Sequence, residues 1–151
     1  MGKLLVLIGL AGVLLCGSVE AQERRFGLGY MIGDPTGLSL KLWTGQKTAF
    51  DAAAEWSTDE KGIVYLHADY LMHSFNLFKV SRGSLPFYYG LGGTVRLVKR
   101  EIAGVRIPLG LAYIVEGGAV DFFAEIVPLI IISPDNDFRI NSGLGARYFF
   151  K

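Results

Sequence analysis

The chain has 151 residues, enough for one domain, and a formal net charge of +1. That near balance excludes the strong field expected of a nucleic-acid binder. A single cysteine, Cys16, excludes a disulfide framework.

Residues 1–21 have the layout of a secretory signal peptide. Lys3 supplies the basic start, residues 4–16 form an apolar run, and cleavage is expected after Ala21, with Val19 three residues before the cut. The run is shorter than the ~20 residues that a membrane-spanning helix needs. Cys16 leaves a second reading open, a lipoprotein cysteine, although Leu15 stands where a small residue is usual. Loss of the signal leaves residues 22–151 as one domain with no cysteine, and so with no thiol nucleophile.

The rest alternates with period two, the pattern of strands with one apolar and one polar face. Residues 25–33 set Phe26, Leu28, Tyr30 and Ile32 against Arg25, Gly27, Gly29 and Met31. Asp34-Pro35-Thr36-Gly37 has the residue pattern of a type I turn. Residues 38–43, 50–57 and 64–73 continue the alternation, with a polar tip at 58–62. Residues 74–86 break it and form the longest connection. Segments 87–97, 105–116, 122–130 and 138–150 follow, with a charged tip at 99–104 and a turn at 133–137. Eight strands are therefore expected. Pro108 and Pro128 each predict a bulge or local break, because proline removes a ladder donor. Residues 127–132 are apolar on both faces.

Three features place the polar face inside a closed barrel. Gly27, Gly29, Gly90, Gly92, Gly110, Gly143 and Gly145 lie on it, as suits a narrow interior filled by side chains of fitted size. Its charges balance: Arg25, Lys41, Arg96, Arg106, Arg139 and Arg147 stand against Asp51, Glu55, Asp69, Glu116, Asp121 and Glu125. Buried charges are tolerated when paired. Finally, Phe26, Phe50, Tyr70, Phe87, Tyr113, Phe122, Tyr148 and Phe150 fall at one rim of an up-and-down meander. A ring of aromatics at a membrane interface marks a transmembrane barrel. The alternative is a soluble, lipocalin-like periplasmic carrier with its apolar face inside.

The last strand, with Gly145, Tyr148 and Phe150, resembles the C-terminal targeting strand of bacterial outer-membrane β-barrels, with Lys151 as a departure. The mature chain resembles the small eight-stranded barrels of the OmpA membrane domain and OmpX type. Residues 33–43, His67-Ala68-Asp69-Tyr70 and residues 143–148 are similar to a group of uncharacterised bacterial barrel proteins of about this size. The resemblance implies an eight-stranded antiparallel transmembrane barrel in the bacterial outer membrane. It implies outer-membrane lipid as surroundings and the barrel-assembly machinery as a partner during insertion. It implies no reaction. No cofactor and no nucleic acid are expected, and the expected state is a monomer.

Candidate chemistry is sparse. His73-Ser74 with Glu55 suggests a hydrolase of the lipid A deacylase kind, but adjacent strand residues point to opposite faces. His67 and Asp69 share the inner face and suggest a metal site, yet the spacing shows no third ligand. Gly90-Leu91-Gly92-Gly93 lacks the following helix of a phosphate loop. Lys99-Arg100, and Lys79 with Arg82, read as solvated tips or contacts to lipid phosphates. The expected role is a structural or interaction barrel with a filled interior, not a wide pore and not an enzyme. A lipid-modifying or lipid-binding barrel is the alternative. With the first strand starting in the periplasm, the long connection falls on the periplasmic side. Phe75, Leu77 and Phe78 are then expected in the inner interface.

Overall fold

Period-two alternation commits a segment to a strand, because successive side chains point to opposite faces. Every element of the computed structural model is such a strand, among its described residues 24–34, 36–56, 62–97 and 101–151. The expected signal peptide, Cys16, Lys99, Arg100 and most of the tip at 58–62 lie outside the described residues. The strands are β1 (Phe26–Asp34), β2 (Thr36–Trp43), β3 (Thr48–Trp56), β4 (Val64–Ser74), β5 (Phe87–Arg96), β6 (Ile102–Arg106), β7 (Leu109–Ile114), β8 (Val120–Ser133) and β9 (Asp137–Phe150). They form one antiparallel sheet in the order β4-β3-β2-β1-β9-β8-β6-β5-β7. Pairing of β4 with β5 and of β8 with β7 closes that sheet into a ring. Paired residues climb from strand to strand, Phe26 with Leu42, Leu42 with Phe50, Phe50 with Tyr70 and Tyr70 with Leu91. Such a stagger accompanies the strand tilt of a closed barrel.

Register accounts for the ninth strand. Arg106 and Leu109 pair with Leu129 and Ile126 of β8 on one side, and with Gly92 and Tyr89 of β5 on the other. The offset is unchanged across Ile107 and Pro108, so β6 and β7 are two halves of one barrel strand. Pro108 thus brings the expected break. Pro128 does not: β8 runs through it, paired to Ile140 of β9. The Pro128 carbonyl accepts from the Ile107 amide at 3.0 Å. Its nitrogen therefore faces the lapse between β6 and β7, away from the continuous β9 ladder. The one-residue irregularity sits instead where Ala103 and Gly104 meet Ser133 and Ile131.

Two boundaries also differ from expectation. Strand β6 starts at Ile102, inside the expected tip, because the buried Ile102 side chain packs with Leu129 and Ile131. Strands β8 and β9 run for 14 residues each, and β1 pairs with β9 only from Ser142 onward. The outer part of that hairpin stands beyond β1.

The polar parity faces in. Lys41, Asp51, Asp69, Arg106 and Arg147 are buried, while Leu28, Leu40, Leu91 and Leu144 are exposed on the outside. Soluble folds do the reverse. Inward glycines make room for large neighbours: a Cβ on Gly92 would overlap Asp69 Oδ1, and one on Gly145 would overlap the Phe123 ring. Apolar clusters flank the charges on either side. Trp43, Ala49 and Phe149 form one, with Phe75 and Ile114 packed against it. Ile102, Leu129 and Ile131 form the other.

The connection at 75–86 is tied to the wall. Ser84 and Ile114 exchange backbone bonds of 2.9 and 2.8 Å, and the Tyr113 hydroxyl donates to the Arg82 carbonyl at 3.1 Å. Phe75 packs inward, its ring 6.5 Å from that of Trp43, whereas Leu77 and Phe78 are exposed.

Candidate functional site

Register decides which inward charges meet. Along one row of the wall Lys41 lies beside Asp51, Asp51 beside Asp69, Asp69 beside Gly92 and Gly92 beside Arg106. Gly92 leaves the gap in which its two neighbours touch. Arg106 Nε donates to Asp69 Oδ1 and Oδ2 at 3.1 and 3.2 Å. On the next row Asp121 lies beside Arg147. Arg147 Nε and Nη2 donate to Asp121 Oδ1 and Oδ2 at 3.0 and 3.1 Å, the two-pronged geometry that favours arginine over lysine. Its Nη1 reaches Asp51 Oδ2 at 3.4 Å, and its guanidinium carbon stands 4.0 Å from the centre of the Phe123 ring.

His67 joins the two rows. Its Nδ1 is 2.8 Å from Glu55 Oε1, and its Nε2 is 3.5 Å from Asp51 Oδ1 and 3.7 Å from Asp69 Oδ2. These contacts lack hydrogen-bond geometry, so Asp51 Oδ1, Glu55 Oε1 and His67 Nδ1 are buried without a hydrogen-bond partner. Glu125 accepts from the Tyr88 hydroxyl at 2.8 Å and lies 3.7 Å from Arg106 Nη2. Lys41 Nζ is 2.8 Å from His73 Nε2 and 4.4 Å from the centre of the Trp43 ring.

Of the charges expected in the interior, Lys41, Asp51, Glu55, Asp69, Arg106, Asp121, Glu125 and Arg147 are buried. Arg25 and Arg96 are half-buried. Glu116 and Arg139 lie outside the enclosed space. Glu116 is exposed in the turn after β7, and Arg139 pairs with Asp137 at 3.2 Å on the outstanding part of β9. With one cation and one carboxylate outside, the expected six against six becomes five against five. Lys41, Arg106 and Arg147 and the five carboxylates are fully buried, and Arg25 and Arg96 are half-buried.

The hydrolase arrangement is not assembled. Glu55 contacts His67, while His73 sits at the other end of β4 with Lys41 and the Lys47 carbonyl. Gly90, Leu91, Gly92 and Gly93 lie within β5, and Lys79 and Arg82 are exposed on the long connection. The third ligand that spacing alone does not show for His67 and Asp69 is present: Asp51 pairs with Asp69 across β3 and β4. Sequence parity already put Asp51 and His67 on one face. What it lacked was the hairpin register that sets Asp51 opposite Asp69.

The rim aromatics stand at the end that holds both chain termini of the barrel. Phe26 stacks near Phe150 at 6.2 Å, Phe50 meets Tyr70 at 5.0 Å, and Tyr148 meets Phe150 at 5.1 Å. Phe122 is exposed there, and Phe87 and Tyr113 are half-buried. At the far end Tyr30 and Trp56 pair at 6.1 Å.

No family model matches the chain, and no curated protein matches it. Among solved structures it is similar to the N-terminal β-barrel domain of Pseudomonas aeruginosa OprF, with a TM-score of 0.64. The match is 14% identical and covers 83% of this chain and 96% of that one. At that identity the likeness is one of fold.

Proposed function

We propose that the chain is an integral outer-membrane β-barrel with a filled, charge-bearing interior, serving a structural or interaction role and not as a wide pore. The single observation that carries this reading is the inversion of faces. Large apolar side chains such as Leu91, Ile126 and Leu144 are more than half exposed outside, and charged ones are buried within. Water would penalise that outer surface, whereas lipid tails would not. Strand lengths agree: β1 has 9 residues and β5 has 10, against the ~9–11 that a tilted strand needs to cross a bilayer. The terminal-end aromatics then sit at an interface, with Gly145, Tyr148 and Phe150 as the segment read by the assembly machinery. A soluble carrier of the lipocalin kind needs an apolar interior, and here Lys41, His67 and five carboxylates occupy it.

The test is fractionation of cells expressing the full chain. The protein should travel with outer membranes and run differently on a gel before and after boiling. Recovery as a soluble periplasmic monomer would contradict the reading. In the same cells a cysteine at Ser81, on the connection assigned to the periplasm, should resist a membrane-impermeant thiol reagent. Reaction there would reverse the orientation.

A further inference from the structure

The cluster around His67 has the form of a metal site, and we propose that the barrel interior binds one divalent first-row transition ion of the Zn²⁺ class. The ligands are His67 Nε2, Asp51 Oδ1 and Asp69 Oδ2. One ligand atom from each of the three residues lies within 4.8 Å of the others. His67 Nε2 stands 3.5 and 3.7 Å from the two carboxylate oxygens. Two ligands about 2.1 Å from a shared tetrahedral ion stand about 3.4 Å apart. The spacing is too long for hydrogen bonds and close to what a bridging ion requires.

Two further observations point to an occupant. Asp51 Oδ1 is buried without a hydrogen-bond partner, although the other oxygen of the same carboxylate contacts Arg147. Glu55 Oε1 lies 2.8 Å from His67 Nδ1, the ring nitrogen that faces away from the ligand oxygens. A carboxylate on the far nitrogen is the usual orienting partner of a metal-bound histidine. Glu55 is therefore a positioning residue, and a small turn of the imidazole gives it the Nδ1 proton. One imidazole with carboxylates suits Zn²⁺ or Mn²⁺ better than the harder Ca²⁺.

The competing occupant is the proton, on His67 and on a carboxylate. The inference rests on the barrel fold and not on the membrane location, so it stands or falls separately. Untagged chain is refolded in detergent with Zn²⁺ alone, desalted, and its metal content measured, with the boiled and unboiled gel shift as the check on folding. The expected result is one zinc per folded chain. His67→Gln and Asp51→Asn should retain less than about one-tenth of it, and Glu55→Gln should weaken retention roughly tenfold or more. Arg139→Gln, outside the enclosed space, should retain it all. Refolding with Co²⁺ should give the intense visible band of a tetrahedral site. If a variant does not fold, the wild-type chain decides: Zn²⁺ should raise its urea midpoint and a chelator present during refolding should lower it. Folded wild type without retained zinc, or Asp51→Asn retaining zinc as well as wild type, would overturn the proposal.

Discussion

At the scale of single residues, the buried charges are not equivalent. Arg147 holds two carboxylates, Asp121 by both its oxygens and Asp51 by one. Removing its guanidinium leaves both buried without their cation, and breaking a buried pair in this way costs roughly 3–5 kcal/mol. Arg147→Met should therefore lower the urea midpoint of the folded barrel strongly. Glu125→Gln is a different change. It keeps an acceptor for the Tyr88 hydroxyl and gives up only an Arg106 contact of 3.7 Å. Its cost should stay within about 1 kcal/mol, the scale of one hydrogen bond. Equal midpoints for the two variants would mean that the network is hydrated and its pairs are screened. Parity made these residues legible in the sequence, because a period of two assigns each to a face. It did not say which would touch. Lys41 faces a histidine and a tryptophan ring, and His67 gathers three carboxylates, because hairpin register sets the pairs.

At the scale of elements, the last strand separates two jobs by parity. Phe149 is buried with Trp43 and Ala49 in the layer that closes the terminal end, and its neighbour Phe150 faces out beside Phe26. Phe149→Ala should cost about 3–5 kcal/mol of folded stability by leaving a cavity in that layer. Phe150→Ala should leave folded stability nearly unchanged and lower the fraction assembled in cells. Urea melts of refolded protein and the assembled fraction in membranes read the two effects separately. Loss of assembly by both variants alike would undo the division. The strands themselves were legible. The lapse at Ile107–Pro108 was legible too, since Pro108 removes a ladder donor, although periodicity does not show that the register carries across it unshifted. Two other features were not legible. Pro128 is absorbed because its nitrogen happens to face that lapse. Phe75 packs against the end cluster and continues the inward parity of His73 past the end of β4, but the broken alternation of the connection gives no sign that this face extends to it.

At the scale of the whole molecule, closure follows from the same alternation. A sheet with one apolar face and two unpaired edges would be open to aggregation. Pairing of β1 with β9 over residues 142–150 removes those edges. Which face ends up inside is the central claim, and it separates a membrane barrel from a soluble one of equal size. The most direct measurement is a set of single cysteines in residues 22–151, which otherwise contain none. Leu40, Val95 and Leu144 face out, and Ser39, Ala53 and Thr94 face in, each of the latter at most 6% exposed. With the barrel in lipid vesicles, a thiol reagent confined to the bilayer should label Leu40→Cys, Val95→Cys and Leu144→Cys. It should spare Ser39→Cys, Ala53→Cys and Thr94→Cys. A water-soluble reagent should label none of the six. Labelling of the outward set from water, or of the inward set from lipid, would contradict the account.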